Sequence, residues 1–600
     1  MISGLNNLLN TGAVTINGGS FTSSFGATIG ALTLNNGVIG APAGSGLITA
    51  SSFSLSNGTV NAGFGGSGSI SKITTGTVAL NAFGTGSGTV SLADGVLRLG
   101  AAQRDATTQN VTTTINSTTV TVTDGSILSV GQGLTAAGIP ANALIQSITG
   151  NQVVINRTPT ATGSVTGNFS AGGPLRAAGA ISFSGGTLQY SAANQYDYSL
   201  RFSTAASQAY KIDTNSQNVT YASNLTSAGG TLEKLGAGTL TLNGTNTYSG
   251  TTTVRSGTLA IGASERIANT SNLLVNGGTF DVGAFNETVG TVTMSSGSIG
   301  GSGNLTGTSY ALQGGTVNAI LGGGGAVTVS GNTTTLGSAG RLGSGKALTI
   351  SGGQLTIAGA ESVASYQQTG GMLGGTGNTL TSTAAYDLQA GTVNANLGGS
   401  IGVNKTTAGT LTLTGSNSYA GITTVSAGTL LVSGAGSINS TAGVSVASGA
   451  TFTNSSSISY SGGLTLAEGA VINGSGAFAP TALTITADLS SGLTTFALGN
   501  TQFTKAGNLE LTLSGIAIDT YALFSGSAIT GTFSTMTIGG ASLASGGSGN
   551  FSGLVGGNLY TFTDASNQLI VAVPEPSTWG ALLAFALTAM VLLRRRSRSR

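Results

Sequence analysis

The chain has 600 residues, with 101 glycines, 7 prolines, one tryptophan, no cysteine and no histidine. Without thiol or imidazole, disulfides, thiolate metal sites, a Ser-His-Asp arrangement and most zinc chemistry are excluded. Charged residues make up only 6%, and the formal net charge of +2 comes from Arg594, Arg595, Arg596, Arg598 and Arg600 at one end; the body before them carries no basic stripe, which excludes nucleic acid as a partner.

At the N-terminus, Met1-Ile2-Ser3-Gly4-Leu5-Asn6-Asn7 has neither the positive n-region nor the apolar run of a secretory leader. A glycine-led strand appears already at Gly12-Ala13-Val14-Thr15-Ile16. The expectation is a chain that starts in mid-fold. Residues 1–105 then repeat one pattern: a glycine followed by apolar/polar alternation, as after Gly58 and Gly76. Glycine supplies the positive φ of a tight corner, and alternation puts Thr on one face of a strand and Leu or Val on the other. The corners recur every 18–22 residues, the length of one coil in a parallel β-solenoid.

Residues 106–170 depart from that spacing. They are rich in Thr, Val and Ile, with alternation at Thr118-Thr119-Val120-Thr121-Val122 and hairpin-turn pairs at Asp124-Gly125 and Gly150-Asn151. They are expected to form a small β-domain inserted between coils.

The coil pattern returns over residues 171–481. Gly58-Thr59-Val60-Asn61-Ala62 recurs from Gly315 and from Gly391. Lys72, Lys234 and Lys405 each precede a corner glycine by four residues. After the second and third of these come Gly238-Thr239-Leu240-Thr241-Leu242 and Gly409-Thr410-Leu411-Thr412-Leu413. Each leads to an Asn-x-Tyr-x-Gly turn, around Tyr248 and Tyr419, and then to Thr252-Thr253-Val254 and Thr423-Thr424-Val425. At these residues the chain resembles the autotransporter-associated β-strand repeat family. The resemblance implies a right-handed parallel β-helix in an exported surface protein and implies no catalytic residues.

Residues 482–572 hold strands near Leu509–Leu513, Ala522–Phe524 and Gln568–Val571. The expectation is a terminal antiparallel β-domain that caps the last open edge of the solenoid, with Gly546–Gly557 as a loop inside it. The predicted fold is thus all-β: a right-handed parallel β-helix with a small inserted β-domain, a C-terminal β cap and one C-terminal transmembrane helix.

That helix belongs to residues 573–600. Pro574-Glu575-Pro576-Ser577-Thr578 precedes an uncharged run from Trp579 to Leu593, which Arg594, Arg595 and Arg596 close. Ser577 or Thr578 can cap a helix over 579–593. Such a helix spans about 22 Å, so Trp579 at one interface and snorkelling arginines at the other make up the membrane thickness. The arginines hold the tail in the cytoplasm and turn the body outward. The order of motif, apolar span and arginines resembles the PEP-CTERM sorting signal. The resemblance implies recognition by an exosortase, a membrane-embedded protease–transpeptidase, near Pro574, Glu575 and Pro576. It also implies export to the envelope or extracellular matrix, with the membrane, that enzyme and extracellular polysaccharide as partners.

Candidate sites within the body are few. The acids are scattered, no calcium-binding nonapeptide occurs, and no catalytic residue, metal or cofactor is assigned. Tyr190, Tyr196, Asp197, Tyr198, Arg201, Tyr210, Lys211 and Asp213 form the one dense polar-aromatic patch; it reads as a solvated loop packed on a coil, with a sugar site as the alternative. Tyr248 and Tyr419 read as turn packing in preference to sugar stacking. Asn61, Asn318 and Asn394 read as side chains bonding corner backbone, and Lys72, Lys234 and Lys405 as solvent-facing charges that discourage lateral sheet pairing. The expectation is a non-catalytic structural or adhesive surface protein; the alternatives are a polysaccharide lyase or hydrolase, or a carbohydrate-binding protein, on the same fold.

Overall fold

The computed structural model describes residues 11–22, 27–40, 47–141, 143–175, 178–490, 493, 495–498, 502–525 and 528–573. The chain divides into two compact units, Met1–Tyr310 with Gly315–Gly322 and Ala311–Gly314 with Gly323–Arg600. Each is a parallel β-solenoid. Among the described residues the helical elements are two 3₁₀ turns, Gly125–Ile127 and Ser199–Arg201, and no helix is long and apolar enough to cross a membrane. The sorting motif Pro574, Glu575, Pro576, the span 579–593 with Trp579, and Arg594, Arg595 and Arg596 lie outside the described residues.

Parallel register builds the core. In the first unit Val219 stacks on Leu240, Leu240 on Leu259, Leu259 on Phe280, Phe280 on Ile299 and Ile299 on Val317. None of these side chains is more than 2% exposed. Successive partners are about 20 residues apart, so the glycine corners do mark single coils. The alternating Thr residues point outward because the side-chain period of a strand is two. In the second unit one sheet runs without a break from Ala326–Val329 through Val403–Lys405 and Leu464–Ala467 to Thr535–Ile538. A second sheet joins Thr333–Leu336 to Val471–Asn473. Short third sheets close some coils, as where Glu361–Val363 pairs with Thr379–Ser382.

Corner glycines are needed where the coil below comes closest. At Gly257 φ is +61°, and an added Cβ would lie 2.4 Å from the carbonyl oxygen of Gly238. Only glycine meets both constraints.

Two stretches form antiparallel sheets of their own. Strands between Thr107 and Phe169 close into a six-stranded barrel around Val111, Val120, Ile145, Val153 and Phe169. Gly150-Asn151 joins Ala143–Thr149 to Gln152–Ile155 as a hairpin turn. Asp124-Gly125 does not make the hairpin turn expected of it: Asp124 caps the 3₁₀ turn Gly125–Ile127 with its carboxylate. The second stretch is a five-stranded sheet in the order 519–522, 568–572, 558–563, 550–555 and 544–547.

The region 482–572 needs correction. Ala482–Asp488 pairs in parallel with Leu464–Ala467 and with Asn508–Ser514, which pairs in parallel with Thr535–Ile538. The winding therefore continues past 482, and Leu509–Leu513 belongs to it. Residues Gly546–Gly557, expected as a loop, contain most of the strand pair Ala544–Gly547 and Asn550–Val555.

Candidate functional site

The repeat motif supplies most of the singled-out residues, and nearly all of them face inward. Lys72, Lys234 and Lys405 are fully buried, against the expectation of solvent-facing charges. Strand parity is the cause. Lys234 follows Leu232 by two positions on one strand, so both point to the core. Its ammonium donates to the carbonyl oxygens of Leu235, Gly236 and Ser256 at 2.9, 2.7 and 3.1 Å. Lys405 donates to Thr407 and Ala427, and Lys72 to Thr74 and Asp94, in the same way. Each lysine ties its own corner to that of the following coil. Lys346, which sequence reasoning missed, is likewise buried but donates to Gly323 and Gly325 of the preceding coil. Burial lowers all four ammonium pKa values, those of Lys234 and Lys346 to about 8.

The Asn-x-Tyr turns form an internal network. Asn246 accepts from Leu225 N at 2.8 Å and donates to the carbonyls of Gly244 and Arg266; Asn417 repeats this with Leu397, Gly415 and Ser437. The Tyr248 and Tyr419 hydroxyls pair with Thr252 and Thr423 at 2.6 and 2.7 Å. Both tyrosines are buried turn-packing groups, out of reach of a sugar ring. Asn61 and Asn394 bond neighbouring side chains and not corner backbone: Asn81 donates to Asn61, and Asn394 accepts from Thr414.

Two buried carboxylates were also missed. Glu287 accepts from Arg266 N and Ile267 N, both at 2.8 Å, and Glu361 accepts from Arg341 N and Leu342 N. One carboxylate thus serves two adjacent amides of the preceding coil. Burial pushes the Glu287 carboxyl up to about 7 despite those bonds. An arginine paired in the sequence with an acid about 20 residues on was the available signal.

The polar-aromatic patch is a second core element. Tyr190, Tyr198 and Tyr210 are buried, the Tyr190 and Tyr221 hydroxyls share a hydrogen bond at 3.1 Å, and Phe202 packs against Tyr210 and Tyr221. Arg201 donates to the carbonyls of Leu175, Ala178 and Gly179 while lying over the Tyr198 ring. Asp197 accepts from Ser199 N and Ala222 N, Tyr196 donates to Asp105, and Asp213 accepts from Gln189. These bonds fasten coils to one another, so the patch is neither a solvated loop nor a sugar-stacking platform. Ten of the 13 tyrosines are less than 2% exposed, so among the described residues no line of exposed tyrosines is there to receive a glycan.

What remains outside is a surface of hydroxyls and amides. In the second unit the outward row Thr328, Thr349, Gln367, Asp387, Asn404, Thr424, Ser445, Thr465, Thr484, Glu510 and Thr537 follows the register of a single sheet. Among the described residues no group of three or more acids could hold a metal. One surface hollow, of about 390 Å³, lies on the barrel of the first unit. Another, of about 290 Å³, lies beside Ser445, Thr465 and Thr484.

Residues 232–261 and 403–432 match the passenger-associated-transport-repeat family; they contain Lys234, Lys405 and both tyrosine turns. Across 29% of its length the chain is 33% identical to the adhesin BmaC autotransporter of Brucella suis biovar 1 (strain 1330), a match spanning 5% of that protein. The crystal structure of the Haemophilus influenzae Hap adhesin superposes with a TM-score of 0.32 at 12% identity, covering 92% of this chain and 64% of that one.

Proposed function

We propose that this chain is a non-catalytic, exported surface protein that adheres through the polar outer faces of its coils. The observation that carries the reading is the inward placement of the repeat signature. Lysine, asparagine, tyrosine and threonine are spent on joining coil to coil, so what the repeats preserve is the scaffold. The similarity to an autotransporter adhesin supports the same reading. The barrel 107–169 serves as a separate module beside the winding, and the antiparallel sheet formed by 519–522 and the strands within 544–572 caps the last coils and shields their edge.

Sorting belongs to the same proposal. The segment Pro574–Arg600 acts as an exosortase signal, with 579–593 holding the protein in the membrane until processing near Pro574-Glu575-Pro576 delivers it to the envelope or matrix. Mass spectrometry of protein recovered from the cell surface tests this: chains ending near residue 576 are expected, and surface chains intact through Arg600 contradict it. Adhesion is tested with beads coated with the full chain. They should bind whole cells or matrix polysaccharide while releasing no reducing ends or unsaturated products. Product release would favour the lyase or hydrolase alternative.

A further inference from the structure

The segment Thr107–Phe169 is not required by the winding it interrupts. Val96–Leu99 pairs directly with Thr187–Gln189, and Val90–Leu92 with Ile181–Phe183, so the coils on either side stack on each other. The barrel has its own core. It is fastened through Arg104, whose Nε donates to Ser129 Oγ at 3.0 Å and whose Nη2 donates to the Ser126 carbonyl at 3.1 Å. A module that the scaffold does not need, held at a fixed place on it, calls for another purpose.

Its outer face carries the hollow of about 390 Å³, lined by Thr108, Asn110, Thr123, Asp124, Ile127 and Thr166 together with Gln109, within the usual range for small-ligand sites. The lining is rigid where it matters. The Gln109 side chain donates to the Asp124 carbonyl at 2.9 Å and accepts from Asp124 N at 2.7 Å. Asp124 Oδ1 accepts from Ser126 N and Ser126 Oγ at 2.9 and 2.6 Å. These bonds hold the carboxyl below the usual carboxylate range, the Ser126 hydroxyl contributing most. The carboxylate is therefore ionised near neutral pH and preorganised.

We propose that this hollow binds an uncharged sugar unit of a surface or matrix polysaccharide. The lining contains no lysine or arginine, which argues against a phosphate, sulfate or acidic sugar. A fixed carboxylate accepts hydrogen bonds from sugar hydroxyls at charge-assisted strength. The threonine hydroxyls and the Asn110 amide can both donate and accept. Ile127, 41% exposed beside them, offers the apolar ledge that a pyranose face requires. The hollow is shallow, which suits one ring of a longer chain, with avidity supplied by many copies on a surface. The proposal rests on the adhesive reading, adds the barrel to the coil faces as an adhesive surface, and gives that reading a ligand class.

The test uses the full chain and immobilised cellohexaose, mannohexaose and laminarihexaose as probes, with bead adhesion measured in parallel. Asp124→Asn keeps an oxygen that can cap the 3₁₀ turn, and Ile127→Ala alters an exposed side chain, so both should retain the wild-type circular dichroism and melting curve. At least one neutral oligosaccharide should bind the wild type, tenfold or more weakly to Asp124→Asn and several-fold more weakly to Ile127→Ala. Unchanged affinity in both variants overturns the site, as does preferential binding of an acidic oligosaccharide. Adhesion without binding of any neutral probe overturns the site and leaves the adhesive reading standing; a wild type that neither adheres nor binds overturns both.

Discussion

Lys234 shows how a charge can belong to a core. Its burial is offset only because three corner carbonyls receive its ammonium; an unsatisfied buried polar group costs about 1–3 kcal/mol. Lys234→Met should lower the melting temperature for that reason, and it should also change the pH profile. The folded pKa is depressed from 10.5 to about 8, so the stability linked to this group is present above the unfolded value and lost as pH falls through 8. Wild-type melting temperature should therefore rise between pH 8 and 10, and less so in Lys234→Met. Above pH 10 the core tyrosines oppose the gain, since burial raises their pKa values, those of Tyr310 and Tyr386 to about 12. Glu287 acts at the other end. Its pKa is raised from 4.5 to about 7, so its contribution is complete below 4.5 and lost as pH rises through 7. Glu287→Gln should flatten the stability curve between pH 4.5 and 7, and an unchanged slope would remove Glu287 as its source. The inward lysines were legible in principle: Ile70 and Lys72, Leu232 and Lys234, and Val403 and Lys405 share strand parity. Charge alone suggested solvent, and parity decided.

At the scale of the strand and corner, glycine has two different meanings. Gly257 is demanded by φ and by the Gly238 carbonyl. Gly463 has no positive φ, and an added Cβ would meet nothing closer than 3.7 Å. Gly257→Ala should cost more than about 1 kcal/mol, whereas Gly463→Ala should be neutral or stabilise by up to about 1 kcal/mol through the unfolded chain; urea midpoints measure both. The sequence revealed the coils wherever the period stayed near 20 residues. It failed beyond 482 because the coils lengthen: Leu483 stacks on Leu509, and Leu509 on Met536. Insertions of six or seven residues in the connections hide a period without disturbing the register of the strands. The terminal sheet is held to these long coils by Lys505, which lies 3.0 Å from Asp564 Oδ1 and donates to the Asp564 carbonyl and Asn567 Oδ1. Both charged side chains are nearly buried, and removing one partner of such a pair costs about 3–5 kcal/mol. Lys505→Met should speed amide exchange over residues 544–572 and leave exchange over 403–432 unchanged. Equal acceleration in both regions would contradict a local fastening.

For the whole molecule, the scarcity of charge sets the manner of binding. With 6% charged residues in 600 and an exterior of Thr, Ser and Asn, adhesion should survive about 1 M salt, where exposed ion pairs are screened within about 3 Å. Loss of adhesion on raising salt would point to charge-led attachment. Beneath this lies one structural claim, that successive coils run parallel and in register. The chain has no native cysteine, so spin labels can be placed at chosen rungs of the outward row. Thr424 and Ser445 are register partners on adjacent coils, and Thr465 is the partner of Ser445 on the next. Labels at 424 and 445 should show the strong dipolar broadening of groups about one strand spacing, 5 Å, apart, and labels at 424 and 465 the weaker coupling of about 10 Å. Coupling between 424 and 465 as strong as that between 424 and 445, or none between 424 and 445, would contradict the parallel winding.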